Sequence, residues 1–294
     1  MDSLLRSPRP ALLAAGIQLA AIPGDTDENL AKIERLGRSV ARDHAGLDLL
    51  VLPELGVTGY SAGERFFDLA EPWPEGGVLR RLSGLAAELD VVLVAGYAEA
   101  GETPDVIYDS AAVFDRDGRP VTSYRKTHCL DTERRFFANG DELPLVTTSA
   151  GRLGVMICWD GAFPEVARTY ALAGADLLVM IGAWEDPHVR DWDLVVSARA
   201  YDNVVPVVAV NRTGADGDGH FSGHSRIVDC LGVTVAELGA EEDGLVVGSV
   251  DLERTRELRA GYGSQLRDRR PELYGAVGAP VTVSGRHPSS TERK

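Results

Sequence analysis

Two apolar runs end in residues able to do chemistry. Leu47–Leu52 leads into Pro53-Glu54, and Leu153–Ile157 leads into Cys158 at the head of Cys-Trp-Asp-Gly-Ala-Phe-Pro. In α/β folds the carboxyl ends of strands are where ligands bind and loops carry reactive groups, so both ends are candidates for one site. A carboxylate can take the proton of a thiol, and the thiolate can attack a carbonyl. Cys158 stands just ahead of a helix start, where the helix dipole would lower a thiol pKa from about 8.5. The alternative is a small inert hydrophobe closing a buried strand. A third segment, Tyr124–Asp141, gathers charges beside aromatics. Lys126 there can present an ammonium to a developing oxyanion, with Glu133 to hold it; otherwise it is a solvated charged loop.

The elements that must position these residues are readable as runs of Val, Ile and Leu. They fall at Ala11–Ala20, Leu47–Leu52, Val91–Ala98, Ala111–Phe114, Leu153–Cys158, Ala175–Ile181, Val204–Val210, Arg226–Val228 and Leu245–Val250. Most are continuous, as expected of strands covered on both faces. Helices alternate with them. Asp25 and Glu28 suggest a capping box, after which Leu30, Ile33, Leu36 and Val40 share one face. A second helix carries Val78, Leu82, Leu85 and Leu89, a third follows Pro164, and a fourth carries Trp192, Val195, Val196 and Arg199. Both halves therefore start with strand, helix, strand, helix, strand. One domain of two similar halves over residues 1–282 is expected, with the polar end Val283–Lys294 as a tail.

A chain of 294 residues, 44% hydrophobic and 26% charged, reads as an ordinary globular protein. Its formal net charge of -15, without a Lys/Arg stripe, argues against nucleic acid as partner. The opening apolar patch is interrupted by Arg6, Pro8, Arg9 and Pro10, too short to span a bilayer and unlike a secretory signal, so a cytoplasmic location without membrane contact is expected. Cys129, Cys158 and Cys230 lie far apart, suggesting free thiols. His220 and His224, in a Gly-rich loop with Asp216 and Asp218, lack a firm third ligand for a metal.

Taken together and in order, LVLPELGVTGY, YRKTHCLDTERRFFANGD and GVMICWDGAFPEVAR resemble the nitrilase, or carbon–nitrogen hydrolase, superfamily. The likeness continues through ALAGADLLVMIGAW, SARAYDNVVPVVAVNRTG and FSGHSRIVDCLGVTVAE, covering about Ala14 to Asp251. The resemblance implies a four-layer α-β-β-α sandwich, a catalytic Glu54-Lys126-Cys158 triad with Glu133 as a second glutamate, no metal and no organic cofactor. It further implies hydrolysis of a non-peptide C–N bond through a thioester, the oxyanion held by Lys126 and the N–H of Trp159. Ala138-Asn139-Gly140 replaces the family's usual Thr-Pro-Gly, which leaves Glu133 less secure than the triad.

Cys-Trp-Asp looks more like the amidase and N-carbamoyl amidase branches than the nitrilase branch, where Cys-Trp-Glu is usual. A small linear amide is therefore the expected substrate, with a nitrilase or a non-catalytic scaffold as alternatives. Tyr60, Trp159, Trp184, Glu185 and Asp186, from their positions after strands, are candidates for the substrate pocket. Glu185 and Asp186 would suit an amine at the substrate's far end, as in an amino-amide or an N-carbamoyl amine, or else simply start the next helix. A Cys-His pair with His128 or His188 is the rival chemistry. His128 reads better as a structural hydrogen-bonder, and Cys129 as filler. Homodimers or larger homo-oligomers are implied, with the helix around Trp192 as an interface.

Overall fold

The apolar runs are too continuous to leave a face in water, so the strands they form need cover on both sides. The computed structural model describes residues 11–240, 243–261 and 265–279. In it the runs form two sheets. The first is ordered Gly244–Asp251, Ala11–Gln18, Leu49–Val51, Val92–Ala100, Ile107–Phe114, Pro120–Arg125, with Glu71–Pro72 also beside Val92–Ala100. The second is ordered Thr234–Glu237, Arg226–Val228, Val207–Asn211, Leu177–Gly182, Gly151–Ile157, Val146–Thr148. Each has a core of three consecutive parallel strands. Antiparallel strands flank both cores.

Helices Thr26–Asp43 and Gly77–Leu89 cover the outside of the first sheet, where Leu30, Ile33, Val40, Leu79 and Leu82 pack on Ile17, Leu50 and Leu93. The strand residues between these, Ala14, Val51 and Val94, face the other way and join the core of the second sheet. That sheet is covered in turn by helices Pro164–Ala173 and Val189–Asn203. The result is the expected α-β-β-α sandwich. Its middle layers close tightly: a Cβ on Gly16 would lie 2.4 Å from Cγ2 of Val210 in the opposite sheet.

Both marked helix starts hold, but the capping box expected at Asp25 and Glu28 does not close, because the Asp25 N–H donates to the Ile22 carbonyl at 3.2 Å. Asp25 caps the first helix by accepting from the Glu28 N–H at 3.2 Å, and Pro164 takes the first helical position of its helix. Six described strands escape the apolar-run reading, Glu71–Pro72, Pro120–Arg125, Val146–Thr148, Thr213–Asp216, Gly219–Ser222 and Thr234–Glu237. Each is partly exposed and carries polar residues, so it has no continuous run. Trp192 itself is wholly enclosed within the chain, and its indole N–H donates to the His224 carbonyl at 2.8 Å. The outer face of its helix instead exposes Leu194 and Tyr201. The tail Val283–Lys294 lies outside the described residues. Among those described, no helix is long and apolar enough to cross a membrane.

Candidate active site

Glu54 is set by a turn at the end of strand Leu49–Val51, in which Leu52 still donates to the Val94 carbonyl at 2.8 Å. The turn lies directly against Gly96 on the neighbouring strand: a Cβ there would meet the Pro53 carbonyl oxygen at 2.4 Å and Cα of Glu54 at 2.7 Å. Only glycine leaves that room. Lys126 follows strand Pro120–Arg125 and is tied on both sides, its N–H to the Asp109 carbonyl at 2.9 Å and its carbonyl to the Gly140 N–H at 2.8 Å. The short helical turn Glu133–Arg135 brings Glu133 back over it.

These side chains meet in one enclosed cluster. Lys126 Nζ donates to Glu54 Oε1 at 2.5 Å and to Glu133 Oε1 at 2.8 Å, with Asp109 Oδ2 at 3.4 Å. The oxygens of Glu54, Asp109 and Glu133 lie close enough to bridge a cation, and the cation they surround is the lysine ammonium. Burial opposes the charge on Lys126, but Glu54 and the other acidic neighbours outweigh it and hold the pKa well above the usual lysine value. Glu133 is itself pinned, Oε1 accepting from the Tyr60 hydroxyl at 2.6 Å and Oε2 from the Leu130 N–H at 2.8 Å.

Cys158 comes from the other sheet, directly after strand Gly151–Ile157. Its φ of +47° is left-handed, a sharp turn that a non-glycine residue adopts only when its surroundings impose it. Asp160, two residues on, is bonded across this turn. Its buried carboxylate accepts from the Ile157 N–H at 3.0 Å, the Tyr124 hydroxyl at 2.7 Å, the Thr127 hydroxyl at 2.8 Å and the His128 N–H at 3.0 Å. One carboxylate thus ties the cysteine turn to the segment that carries Lys126. Burial would raise its pKa, but His128, Tyr124 and the Ile157 amide hold it below the usual carboxylate range. His128 Nδ1 is 3.0 Å from Asp160, and its ring stacks on Phe163; it is built into this anchor.

The dipole argument for a low thiol pKa fails. Cys158 opens a five-residue 3-10 turn and is almost fully enclosed. Burial first, and the Glu54 carboxylate second, push its thiol well above the ordinary value, while Lys126 and the Ala183 backbone amide pull the other way without prevailing. The resting group is a neutral thiol beside a carboxylate. Burial likewise pushes Cys129 up to about 12, as expected of a space-filling cysteine among Phe137 and Ile107.

Above Cys158 opens a pocket of about 880 Å³ walled by Tyr60, Phe66, Phe136, Phe137, Trp159, Trp184 and Phe221, with Glu133 at its floor. Glu185, Asp191, Asp218, Arg135 and His188 stand around it toward solvent. Four of the five predicted pocket residues line it. Asp186 does not, because its carboxylate is held by His220 Nδ1 at 2.7 Å and by the Ser222 hydroxyl. Two further anchors were missed. Asn211 clamps both backbone groups of Trp184, and Asp216, paired with buried Arg212, accepts from the Tyr60 N–H at 2.8 Å. Neither carried a sequence signal, since each acts on backbone far along the chain.

Comparison with known proteins gives the same fold and family. The sequence model of the carbon-nitrogen hydrolase family matches residues 13–260. A probable nitrilase of Schizosaccharomyces pombe is 41% identical over 90% of this chain and 98% of its own length. The N-carbamoylputrescine amidase of Solanum lycopersicum is 35% identical over 93% and 96%. Among solved structures, an amidase from Nesterenkonia sp. AN1, carrying the acetamide moiety of fluoroacetamide on its active-site cysteine, superposes with a TM-score of 0.79 at 28% identity, covering 90% of this chain and 97% of that one. The chain belongs to the carbon–nitrogen hydrolase family, within the nitrilase superfamily. It is a hydrolase acting on C–N bonds other than peptide bonds.

Proposed function

We propose that the protein is an amidase that converts a small linear amide to its acid and ammonia through a thioester on Cys158. The observation that carries this reading is the convergence of Glu54, Lys126 and Glu133 beside a thiol at the base of a pocket. Glu54 takes the proton as the Cys158 sulfur attacks the carbonyl carbon, since the thiol is neutral at rest. The carbonyl oxygen, now negative, is met by Lys126 and by the N–H of Trp159, in a first helical turn whose amides have no partner within the helix. Glu54 returns the proton to the leaving nitrogen as the C–N bond breaks. It then takes a proton from the water that attacks the thioester, and the released thiol recovers it. Glu133 holds Lys126 in place and Tyr60 holds Glu133.

The aromatic walls suit an apolar linker and the acidic group Glu185, Asp191 and Asp218 suits an amine at its far end. The substrate class inferred is therefore an amino-amide or N-carbamoyl amine. Assembly of copies through helix Val189–Asn203 would use the exposed Leu194 and Tyr201. Ammonia release from short aliphatic amides, ω-amino amides, N-carbamoyl amines and nitriles, wild type beside Cys158→Ala, tests the reading. Release from amides that the substitution abolishes is expected. Release from nitriles alone would assign a nitrilase, and no release from any compound would leave a scaffold.

A further inference from the structure

Asp109 takes no part in those steps, yet it lies at their centre. It sits on strand Ile107–Phe114, wholly enclosed, with Oδ2 3.4 Å from Lys126 Nζ. Neither of its oxygens receives a hydrogen bond, and neither does Oε2 of Glu54. Oε1 of Glu54 and both oxygens of Glu133 are supplied with donors. Oxygens of all three acids lie within 4.8 Å of one another.

Fully ionised, these three carboxylates would set three negative charges against the single positive charge of Lys126 at buried positions. Buried acceptors without donors and uncompensated buried charge are both costly. One added proton relieves both problems: the excess of negative charge falls from two to one, and the carboxyl group that carries it becomes a donor to an oxygen that lacks one. We propose that Asp109 is held as a neutral acid whose O–H donates to the Glu54 carboxylate, making it the positioning residue for the general base. Burial first, and the Glu54 charge second, push the Asp109 pKa well above the carboxylate range, with Lys126 opposing. Cys129, a further titratable neighbour, is pushed up by its own burial. Two acids that share one proton divide their work: Asp109 keeps its proton through the cycle, and Glu54 accepts and returns the proton of Cys158.

The inference rests on the role proposed for Glu54. Its test therefore joins a kinetic measurement to one that needs no turnover. Asp109→Ala should lower kcat by roughly a hundredfold with KM within about threefold, since the base loses its orientation and substrate contacts stay. Asp109→Asn, whose amide N–H can donate in the same place, should bring kcat back to within about threefold of wild type. In the infrared, wild type should show the carbonyl band of a protonated carboxyl that Asp109→Asn lacks. Asp109→Asn folded but as slow as Asp109→Ala would overturn the proposal, because a negative charge would then be required. So would a band missing from wild type or unchanged in Asp109→Asn. If no amide is turned over at all, the infrared comparison decides the protonation of Asp109 by itself.

Discussion

The two halves of the molecule repeat one topology and divide the site unequally. In the first, three parallel strands, Ala11–Gln18, Leu49–Val51 and Val92–Ala100, are followed by the antiparallel pair Ile107–Phe114 and Pro120–Arg125. In the second, Gly151–Ile157, Leu177–Gly182 and Val207–Asn211 are followed by Arg226–Val228 and Thr234–Glu237. The first half and the segment after it supply the charges of the cluster: Glu54, Asp109, Lys126 and Glu133. The second supplies a neutral thiol on a strained turn and the indole walls of Trp159 and Trp184. Where the second half ends its first strand in Ile157 before Cys158, the matching strand of the first half ends in Gln18, whose side chain bonds Gly239 and Ser225. A repeated scaffold thus fixes where strand ends point, and local turns decide which ends become reactive.

If one half provides the nucleophile and the other the proton and charge handling, removing each should fail differently. Cys158→Ala should abolish amide hydrolysis, a loss on the order of 10⁴-fold or more, without a large change in the thermal midpoint. Glu54→Gln keeps the shape and removes the base; kcat should fall by about 10³-fold, and alkylation of Cys158 by iodoacetamide should slow in parallel. Equal alkylation rates in both proteins would mean that the thiol is activated within its own half.

The joint between the halves can be loosened separately. Asp160→Ala leaves four buried or half-buried donors without their acceptor, and should cost about 3 kcal/mol in urea unfolding. Because the folded pKa of Asp160 is lowered, its contribution is present above the ordinary carboxylate pKa of about 4 and is lost as pH falls through the folded value. The gap between wild type and Asp160→Ala should therefore narrow in acid; a gap that widens there would refute the assignment. Tyr60→Phe removes one donor to Glu133, and kcat should fall roughly tenfold. Glu185→Gln is the mildest, raising KM for cationic amides by roughly two- to fivefold relative to neutral ones, with an unchanged ratio contradicting a role in substrate choice.

The strands that lead into Glu54 and Cys158 were legible because they are buried on both faces and so are continuously apolar, and two helices because Asp25 and Pro164 mark their starts, whereas the half-exposed strand ahead of Lys126 was not. The cluster around Lys126 was legible as three motifs in order. What escaped notice acts across the chain: Asp109 against Lys126, Asp160 against Tyr124 and Thr127, Asn211 against Trp184. A buried acid in an alternating stretch such as Tyr108-Asp109-Ser110 looks like any solvent-facing residue until its neighbours are known. The same limit misplaced Asp186, which has the right position after a strand and the wrong partners. It also misjudged the Cys158 thiol, which enclosure and the Glu54 carboxylate push up.

The most direct test of the central claim is the intact mass of the protein acid-quenched during turnover of an ω-amino amide. An added acyl mass that maps to Cys158, is released by hydroxylamine and is absent from Cys158→Ala is the predicted result. Ammonia released by Cys158→Ala at the wild-type rate, or an acyl group carried elsewhere on the chain, would contradict it.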